Sequence, residues 1–399
     1  MREFFNNIDH LPEGIQKLRG ERHVFVYGVG EYAAKVLQTL ERFHIEIEGI
    51  VTSAEYYSGN NFCGQKVYVY EQKIMEVDHI VLIAAFNILW HKDLTSKLIK
   101  EDKVKRIYVT DGNSRYMYNY NYLCGSSGFI DPKFYLIDDF YDGITVDRKW
   151  NYNFYIENKK RFDETYEWLE DDRSKLTMEK CLEGWLELSN FSLMELWKRE
   201  DFDNQYFPDI VKLCWGGVET IIDCGAYTGD TLLKFDEKIK ENYRYYALEP
   251  DVRRFEALDS AISKCHGKIF HIPVAAWKTR EKLFFSTEHN CGEIVDIYEN
   301  QRKEKANGIE ADAIDHIVPQ DEKVTYIKMD IEGAELEALR GAAKTIRRCK
   351  PKLAICVYHR REDLITIPQF IKSISSGYKL YLRGHLYCPS EVVLYAIHD

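Results

Sequence analysis

The chain has 399 residues, of which 45% are hydrophobic and 30% charged, a composition typical of globular proteins. It is too long for one ordinary core and is predicted to form more than one domain. A formal net charge of -11 argues against a protein that tracks nucleic-acid phosphates, because that role requires a basic face.

The N-terminus and the cysteines indicate a cytoplasmic protein without a membrane span. Residues 1–10 lack the apolar segment of a signal peptide, and the longest apolar run, Ile80 to Trp90, is interrupted by Asn87 and too short to cross a bilayer. The ten cysteines occur singly, with no C-x-x-C pair. This pattern favours buried reduced thiols over a disulfide or zinc framework.

Residues 1–125 alternate between strand and helix patterns. An apolar run from His23 to Gly28 ends in a glycine turn, and apolar residues at helical spacing follow as far as Phe43. Further strand patterns occur at Ile45–Val51, His79–Ala85 and Val104–Val109. The alternation predicts a small doubly wound, Rossmann-like domain.

Residues 126–205 are predicted to form a helical connector. This part is acidic and rich in tryptophan, with helical patterns at Asn158–Leu169, Ser174–Ser189 and Ser192–Arg199. An apolar stripe that includes Leu182 and Leu186 predicts packing against a neighbouring domain. A cover over a ligand cleft would be compatible with the same packing.

From Glu219 onward the alternation predicts a second α/β domain. Its seven strand patterns are Thr220–Asp223, Arg244–Leu248, Lys268–Val274, Val324–Met329, Leu353–Tyr358, Tyr378–Leu382 and Val392–Ile397. Only a short link joins the last two strands. We therefore expect a doubly wound parallel sheet that is closed by an antiparallel hairpin.

Two stretches of this second domain place acids beside glycine at strand ends. Asp223, Gly225 and Gly229 spell D-x-G-x-x-x-G, in which glycine lets the backbone approach a ligand and a helix beginning near Thr228 directs its N-terminus at that ligand. The second stretch, Tyr326–Glu335, ends another strand with several acids around a glycine.

The order of these motifs resembles the FkbM family of S-adenosylmethionine-dependent methyltransferases. The similarity rests on Asp223-x-Gly225, on Ala247-Leu-Glu249-Pro250 and on Lys328–Glu335, and it covers residues 206–399. It implies a class I methyltransferase domain over that range and S-adenosylmethionine as cofactor. It also implies methyl transfer to a hydroxyl of a sugar, glycan or secondary metabolite.

Several residues are expected to bind this cofactor. Glu249 follows Gly225 by 24 residues, near the spacing of about 20 at which an acid reaches ribose hydroxyls; its alternative role is a capping or solvated acid. The resemblance implies that Asp223, Gly225 and Ala226 border the methionine part. It also implies that Ala275 lies beside the adenine, and Gly229 completes the glycine motif.

Asp330, Glu332 and His359 are the candidate catalytic bases, because O-methylation requires removal of a hydroxyl proton. His359 follows a strand that ends at the same sheet edge, and an imidazole has a pKa suited to proton transfer. Asp330 is also expected to contact the cofactor. The spacing of the three does not indicate a metal site, and we leave metal open.

Four further charged residues have alternative explanations. Glu335 and Glu337 lie inside a predicted helix, Ala334–Arg347, where solvent exposure or the helix dipole accounts for them unless the resemblance applies. Arg360 and Arg361 either bind an anionic acceptor, such as a nucleotide-linked sugar, or form a solvated pair.

The N-terminal domain contains a second glycine motif. Gly28-x-Gly30-x-x-Ala33 fits the dinucleotide fingerprint, but Thr52 or Ser53 stands where a ribose-binding acid is expected. The domain could bind a nucleotide sugar or serve assembly. If this motif binds NAD, the alternative function is an NAD-dependent oxidoreductase or epimerase of nucleotide sugars. A non-catalytic binding protein and a homo-oligomer also remain open.

Overall fold

The computed structural model describes residues 18–42, 44–54, 59–70, 78–83, 98, 101–110, 134–137, 148–187, 192–193, 196, 204–210, 218–240, 242–286, 293–294, 306–386 and 389–398.

The N-terminal part forms a seven-stranded sheet in the order β3-β4-β2-β1-β5-β6-β7. The strands are β1 (Val24–Tyr27), β2 (Gly49–Thr52), β3 (Asn61–Phe62), β4 (Gln65–Val69), β5 (His79–Ile83), β6 (Val104–Thr110) and β7 (Phe134–Ile137). All neighbours are parallel except β3 and β4. Helix α1 (Glu31–Arg42) packs Ala33 and Val36 against this sheet. The four strand patterns predicted up to Thr110, and the helix pattern after the first of them, are confirmed within these bounds.

Three short strands of this sheet were not predicted. Strands β3 and β4 surround a turn at Gly64, whose φ is 79° and whose backbone N–H donates to Asn61. Strands β3 and β4 are exposed or partly exposed at every position except Val67, so neither has the apolar run that marks β1, β2 and β5. The sequence also predicts a helix over Lys92–Lys100, and apart from Leu98 these residues lie outside the described part of the chain.

The connector consists of α2 (Arg148–Glu167) and α3 (Asp172–Glu187). Leu182 and Leu186 belong to the same hydrophobic core as the second sheet, so the predicted packing against a neighbouring domain is confirmed. The helices begin earlier than predicted. The predicted helix Ser192–Arg199 lies almost wholly outside the described residues.

The C-terminal part forms a second seven-stranded sheet, in the order β10-β9-β8-β15-β16-β18-β17. Its strands are β8 (Glu219–Cys224), β9 (Tyr243–Leu248), β10 (Lys268–Ile272), β15 (Tyr326–Met329), β16 (Lys352–Cys356), β17 (Tyr378–Gly384) and β18 (Val392–His398). The first five strands in this order are parallel, and β18 is antiparallel to both of its neighbours. The predicted α/β sheet with a closing hairpin is confirmed.

Helices cover both faces of this sheet, so its central strands are buried throughout. They are α4 (Asp230–Ile239), α5 (Phe255–Ile262), α6 (Ile314–Ile317), α7 (Glu335–Gly341), α8 (Ala343–Cys349) and α9 (Asp363–Ile374). Every residue of β8 and of β15 is buried, as is usual for parallel strands packed on both faces. Helix α4 begins after Gly229, close to the predicted start.

One predicted helix is in fact two. The pattern Ala334–Arg347 divides into α7 and α8, which are separated at Ala342. A Cβ on Gly341 would lie 1.9 Å from the carbonyl oxygen of Trp277, so the last turn of α7 packs directly on the backbone at Trp277. This contact is not visible in a periodic pattern.

A four-stranded sheet, in the order β11-β14-β12-β13, lies beside the larger one and was not predicted. Its strands are β11 (Ala275–Ala276), β12 (Glu281–Ser286), β13 (Glu293–Ile294) and β14 (Ala306–Asp312). Within the described part of the chain, no helix has the length and apolar character needed to cross a membrane. Of the six described cysteines, which are free thiols, three are buried as expected (Cys181, Cys224 and Cys356), two are partly buried (Cys265 and Cys349) and Cys63 is exposed.

Candidate functional site

A cavity of about 340 Å³ opens at the carboxyl edge of the C-terminal sheet, within the size range of small-molecule sites. Its walls come from the segments that follow β8, β9, β15 and β16, and from the residue that precedes the antiparallel β18. The four-stranded sheet adds Ala275 and Ile309. Charged residues dominate the polar part of the lining: Asp230, Glu249, Asp251, Arg254, Lys328, Asp330, Glu332 and Glu391.

The glycines of the first motif are required by packing of the protein itself. Gly225 has a φ of 81°, and a Cβ there would lie 2.1 Å from the carbonyl oxygen of Asp330. A Cβ on Gly229, whose φ is 82°, would lie 2.6 Å from the side chain of Ala261. Gly225 lines the cavity, whereas Gly229 does not. Packing therefore accounts for both glycines, and contact of Gly225 with a ligand stays a prediction.

Two backbone amides expected to face the cofactor are already bonded. The N–H groups of Gly225 and Ala226 both donate to the carbonyl oxygen of Leu248, at 3.0 and 3.1 Å. Ala226 is buried and lies outside the cavity lining. These bonds join the end of β8 to the end of β9, with Gly225 in the cavity lining and Ala226 behind it.

Asp223 lies behind the cavity wall. Its carboxylate is fully buried, pairs with Lys328 Nζ at 2.9 Å and accepts a hydrogen bond from Tyr245 Oη at 2.6 Å. Lys328 Nζ also donates to the carbonyl oxygen of Gly225 at 2.7 Å and lines the cavity. The sequence-based expectation that Asp223 borders the ligand is therefore corrected: its bonds position Lys328 and the turn after β8.

The charge of Lys328 is held by its neighbours. Burial alone would lower the pKa of this amine, but Asp223 and Asp330 outweigh burial and raise it. No role was predicted for Lys328 from the sequence. Its signal was a cation within the otherwise apolar strand β15, because a lysine in a fully buried strand requires an anionic partner.

Glu249 is a buried acid at the end of β9 that lines the cavity. One carboxylate oxygen accepts from the backbone N–H of Tyr227 and the other from that of Asp251, both at 2.8 Å. Burial raises the pKa of the carboxyl group. A carboxylate has about four lone-pair positions, so each oxygen can accept one further bond from a ligand.

Asp330 ends β15 and is held as a carboxylate. Tyr206 Oη donates to one of its oxygens at 2.9 Å, and Tyr358 Oη lies 3.2 Å from the other. Burial alone would raise the pKa of Asp330, but Lys328 and His359 lower it. An acid that stays ionised is a weak base and a good partner for a cation.

His359 is surrounded by three acids. Its Nδ1 lies 2.9 Å from Glu335, and its Nε2 lies 3.5 Å from Asp330 and 3.4 Å from Glu332. Burial would lower the pKa of the ring, but the three carboxylates raise it to about 9. The ring is protonated at neutral pH and does not line the cavity. These observations disfavour His359 as the base.

Glu335 is more deeply buried than the sequence predicts. It was predicted to be solvent-facing or explained by the helix dipole, yet its side chain is fully buried. One oxygen accepts from the backbone N–H of Ile331 at 2.9 Å and also faces His359. The residue begins α7 with its side chain directed back toward the strand end, so it packs under the cavity. Glu337, by contrast, is partly exposed and pairs with Lys278.

Asp330, Glu335 and His359 bring one potential ligand atom each within 4.8 Å of one another, and among the described residues they form one group with the spread of a metal site. The protonated ring already supplies a positive charge to these carboxylates. A metal would have to displace that proton. We therefore propose no metal at this cluster.

Glu391 completes the cavity and was missed by the sequence analysis. It immediately precedes β18. Because β18 is antiparallel to its neighbours, this strand starts at the edge where the parallel strands end. Gln205 Nε2 donates to the Glu391 carboxylate at 2.7 Å, and Tyr358 Oη lies 3.3 Å from it. The available signal was an acid directly before the predicted final strand.

Three residues of the cavity lining have left-handed backbone without being glycine. Tyr227, Glu332 and Glu391 have φ values of 50°, 55° and 54°. Such conformations cost of order 1–3 kcal/mol each and often occur at functional sites. Their concentration around one cavity supports its assignment as the functional site.

The remaining predicted residues fall into two groups. Ala275 lines the cavity, whereas Arg360 and Arg361 do not, so the lining offers no support for an anionic acceptor bound by these two arginines. Gly28 and Gly30 lie in the turn after β1 of the other sheet, and Ala33 lies in the helix α1 that follows. There the glycine turn lies where the strand order reverses, between β1 and β5, and β2 ends at the buried Thr52 without an acid.

Comparison with known proteins agrees with this arrangement. Residues 223–380 match the sequence profile of the methyltransferase FkbM domain. The matched segment is less than half of the chain, and it runs from the end of β8 into β17. A comparison with curated proteins finds no match. Neither result supports the NAD-dependent alternative.

Among solved structures, the chain is similar to methyltransferase FkbM from Methylobacillus flagellatus KT. The identity is 21% and the TM-score 0.61, over 98% of this chain and 94% of that chain. At this identity the similarity shows the fold, which is the class I methyltransferase fold. Fibrillarin from Aeropyrum pernix, solved with natively bound S-adenosyl-L-methionine, matches 49% of this chain and 74% of that chain at 16% identity. Its TM-score of 0.30 is too low to support an inference.

Proposed function

We propose that this chain is an S-adenosylmethionine-dependent O-methyltransferase that acts on a hydroxyl of a sugar, glycan or secondary metabolite. The observation that carries the proposal is the cavity at the carboxyl edge of the sheet, whose lining, apart from Gln205, Tyr206 and Glu391, belongs to the segment that matches the methyltransferase FkbM domain. It brings Glu249 and Asp330, which end strands on either side of β8, to one wall.

The end of the cavity at β9 suits the adenosyl part of the cofactor. Glu249 retains lone pairs for two ribose hydroxyls and is held rigidly by two backbone bonds. Ala275, in β11, provides a small apolar surface for the adenine. The start of α4, with Thr231 in the lining, provides partial positive charge for the methionine carboxylate.

The end of the cavity at β15 suits a cation. Asp330 stays ionised there, and Glu332 and Glu391 add further carboxyl groups. Asp330 would hold the positively charged part of the cofactor. These three acids favour a neutral or cationic acceptor over a phosphorylated one, because like charges repel at short range in a partly desolvated site.

The cofactor, when bound, supplies a methyl group on a positively charged sulfur. The protein positions the acceptor hydroxyl opposite the sulfur for in-line displacement, which contributes through proximity and orientation. The segment at Gln205 and Tyr206 closes the cavity from the connector side. Tyr206 is fixed there because its carbonyl oxygen accepts from Tyr326 Oη at 2.7 Å.

Isothermal titration calorimetry with S-adenosylmethionine and with NAD tests the proposal. We expect the protein to bind S-adenosylmethionine and not NAD. Glu249→Gln should weaken binding by about 1.5–3 kcal/mol, because it removes charge-assisted hydrogen bonds to the ribose. Glu256→Gln, on the exposed side of α5, removes the same charge away from the cavity and serves as control.

Two results would contradict the proposal. Binding of NAD without S-adenosylmethionine would favour the oxidoreductase alternative. Equal affinity of Glu249→Gln and the wild-type protein for S-adenosylmethionine would remove Glu249 from the ribose site.

A further inference from the structure

Glu391 differs from the other acids of the cavity in its position. It lies on the side of β15 away from Glu249, across β16, because β18 follows β16 in the sheet. Neighbouring strands are about 4.8 Å apart, so Glu391 and Glu249 stand at opposite ends of the cavity. If the adenosyl part occupies the end at Glu249, the end at Glu391 is left for the acceptor.

The side chain of Glu391 is oriented by its surroundings. Gln205 Nε2 donates to one oxygen at 2.7 Å, while Tyr358 Oη lies 3.3 Å from the other. The backbone is fixed as well: the residue has a φ of 54°, and its carbonyl oxygen accepts from the N–H of His385 at 3.0 Å. These contacts hold a carboxyl group in the lining, and among the residues that the structure describes no cation lies at ion-pair distance from it.

Tyr358 connects Glu391 with Asp330. Its hydroxyl oxygen lies between the two acids, 3.2 Å from an Asp330 oxygen and 3.3 Å from a Glu391 oxygen. One hydroxyl can donate to only one of them. If Asp330 takes this bond, a proton on Glu391 can be donated to the Tyr358 oxygen, and all three groups are satisfied.

The charges around Glu391 favour one proton on the pair of carboxyl groups formed by Glu391 and Asp330. Burial raises the pKa of Glu391 to about 7, with a further contribution from Asp330, and His359 partly opposes both. The titratable groups that face it from the neighbouring elements are Tyr206, Asp330, Cys356, Tyr358 and His359. Asp330 is the ionised member of the pair, since Lys328 and His359 hold its pKa low.

Resting on the proposed function, we propose that Glu391 is the general base of this site. Its carboxyl group retains a proton in the cofactor-free cavity, ionises when a sulfonium is bound nearby, and then accepts the proton of the acceptor hydroxyl. A carboxylate that ionises near working pH is well matched to this task. Asp330, already ionised, provides the charge that faces the cation.

The step balances without any further reagent. The acceptor oxygen bonds to the methyl carbon, the bond from that carbon to sulfur breaks, and its electron pair remains on sulfur. The hydroxyl proton moves to a Glu391 oxygen and afterwards to solvent. Glu391 is thereby returned to its protonation equilibrium for the next turnover.

Proton release during cofactor binding tests this inference without knowledge of the acceptor. Calorimetric titration of the full-length protein with S-adenosylmethionine, in two buffers of different ionisation enthalpy, measures protons released per molecule bound. A positive charge lowers the pKa of a nearby carboxyl group. Near pH 7 we therefore expect the wild type to release up to about half a proton, and at pH about 9 none from this group.

Glu391→Gln should still bind S-adenosylmethionine but should lose this release. Glu256→Gln, exposed on α5, should release protons as the wild type does. S-adenosylhomocysteine provides a matched ligand, because its sulfur is uncharged. Its binding should release clearly less than S-adenosylmethionine in the wild type.

The outcomes separate this inference from the proposed function. Binding of S-adenosylmethionine with the same proton release in wild type and Glu391→Gln would overturn the role of Glu391 and leave the methyltransferase intact. Equal release with both ligands would also overturn it. Absence of S-adenosylmethionine binding by the wild type would overturn the proposed function, and Glu391 as base with it.

Discussion

The charge of His359 illustrates how single residues of the site are controlled by their neighbours. The imidazole is nearly buried, which disfavours a positive charge, yet it lies within 3.5 Å of Asp330, Glu332 and Glu335. The carboxylates prevail and raise its pKa to about 9. The ring therefore acts as a fixed cation that holds the three acids together under the cavity.

This charge predicts a specific dependence of stability on pH. The pKa of His359 is higher in the folded state than the value of about 6.5 expected in the unfolded chain. Its contribution is thus complete below pH 6.5 and is lost as the pH rises toward 9. Between these limits the unfolding free energy of the wild type should fall by on the order of 3 kcal/mol more than that of His359→Gln.

Urea unfolding at several pH values measures this difference. His316→Gln, which changes an exposed histidine, should follow the wild-type curve. A His359→Gln protein with the same slope as the wild type over this range would show that the ring is not charged in the folded state.

At the scale of elements, the loop between α2 and α3 covers the open edge of the C-terminal sheet. Strand β17 is the last strand of that sheet, and unpaired backbone groups at such an edge invite association. Glu170 N donates to the Leu380 carbonyl oxygen, and Leu382 N donates to Ser174 Oγ. The connector helices are therefore part of the sheet's architecture as well as a link between domains.

Asp171 fastens this loop. Its two oxygens accept from the two terminal nitrogens of Arg383, at 3.1 and 2.6 Å, and one oxygen also accepts from the backbone N–H of Ser174. Despite partial burial, which would raise it, the pKa of Asp171 falls to about 2 because of Arg383 and Ser174. Asp171 therefore holds the loop through a bidentate ion pair with Arg383 and through a cap at the start of α3.

Asp171→Ala should destabilise the protein by about 1–3 kcal/mol, because it removes a helix cap and a charge-assisted pair. Asp172→Ala, the neighbouring acid at the start of α3, should cost no more than about 1 kcal/mol. Chemical denaturation compares the two variants. Equal losses would show that the contact between the loop and β17 contributes little.

On the scale of the whole molecule, α2 and α3 share the hydrophobic core of the C-terminal sheet. Tyr155, Phe162 and Met178 are buried in the same cluster as Leu353 of β16. A domain limit at residue 206, as predicted from the sequence, would cut through this cluster. A unit that begins at α2 keeps it whole.

Two fragments test this division. Residues 148–399 should unfold in a single transition and bind S-adenosylmethionine with the affinity of the full chain, since the cavity lining lies between Gln205 and Glu391. Residues 206–399 should unfold at a markedly lower denaturant concentration, because the core loses both helices. Calorimetry and urea unfolding measure both properties, and equal stability of the fragments would restore the limit at 206.

The sequence by itself was sufficient for the alternation of strands and helices, for the closing hairpin, and for the position of Glu249 and Asp330 at one sheet edge. These features follow from local rules. Apolar runs mark strands, and the carboxyl ends of parallel strands lie along the same edge. The motif resemblance also indicated the segment that the methyltransferase FkbM profile matches.

The tertiary structure alone decided which of these groups face the cavity and which carry charge. Asp223 and Lys328 are over a hundred residues apart, as are Gly225 and the Asp330 carbonyl oxygen that forbids it a side chain. Glu391 reaches the site because β18 runs antiparallel to its neighbours. Burial and pKa depend on such distant neighbours, since both are set by distances in space, which a linear pattern does not contain.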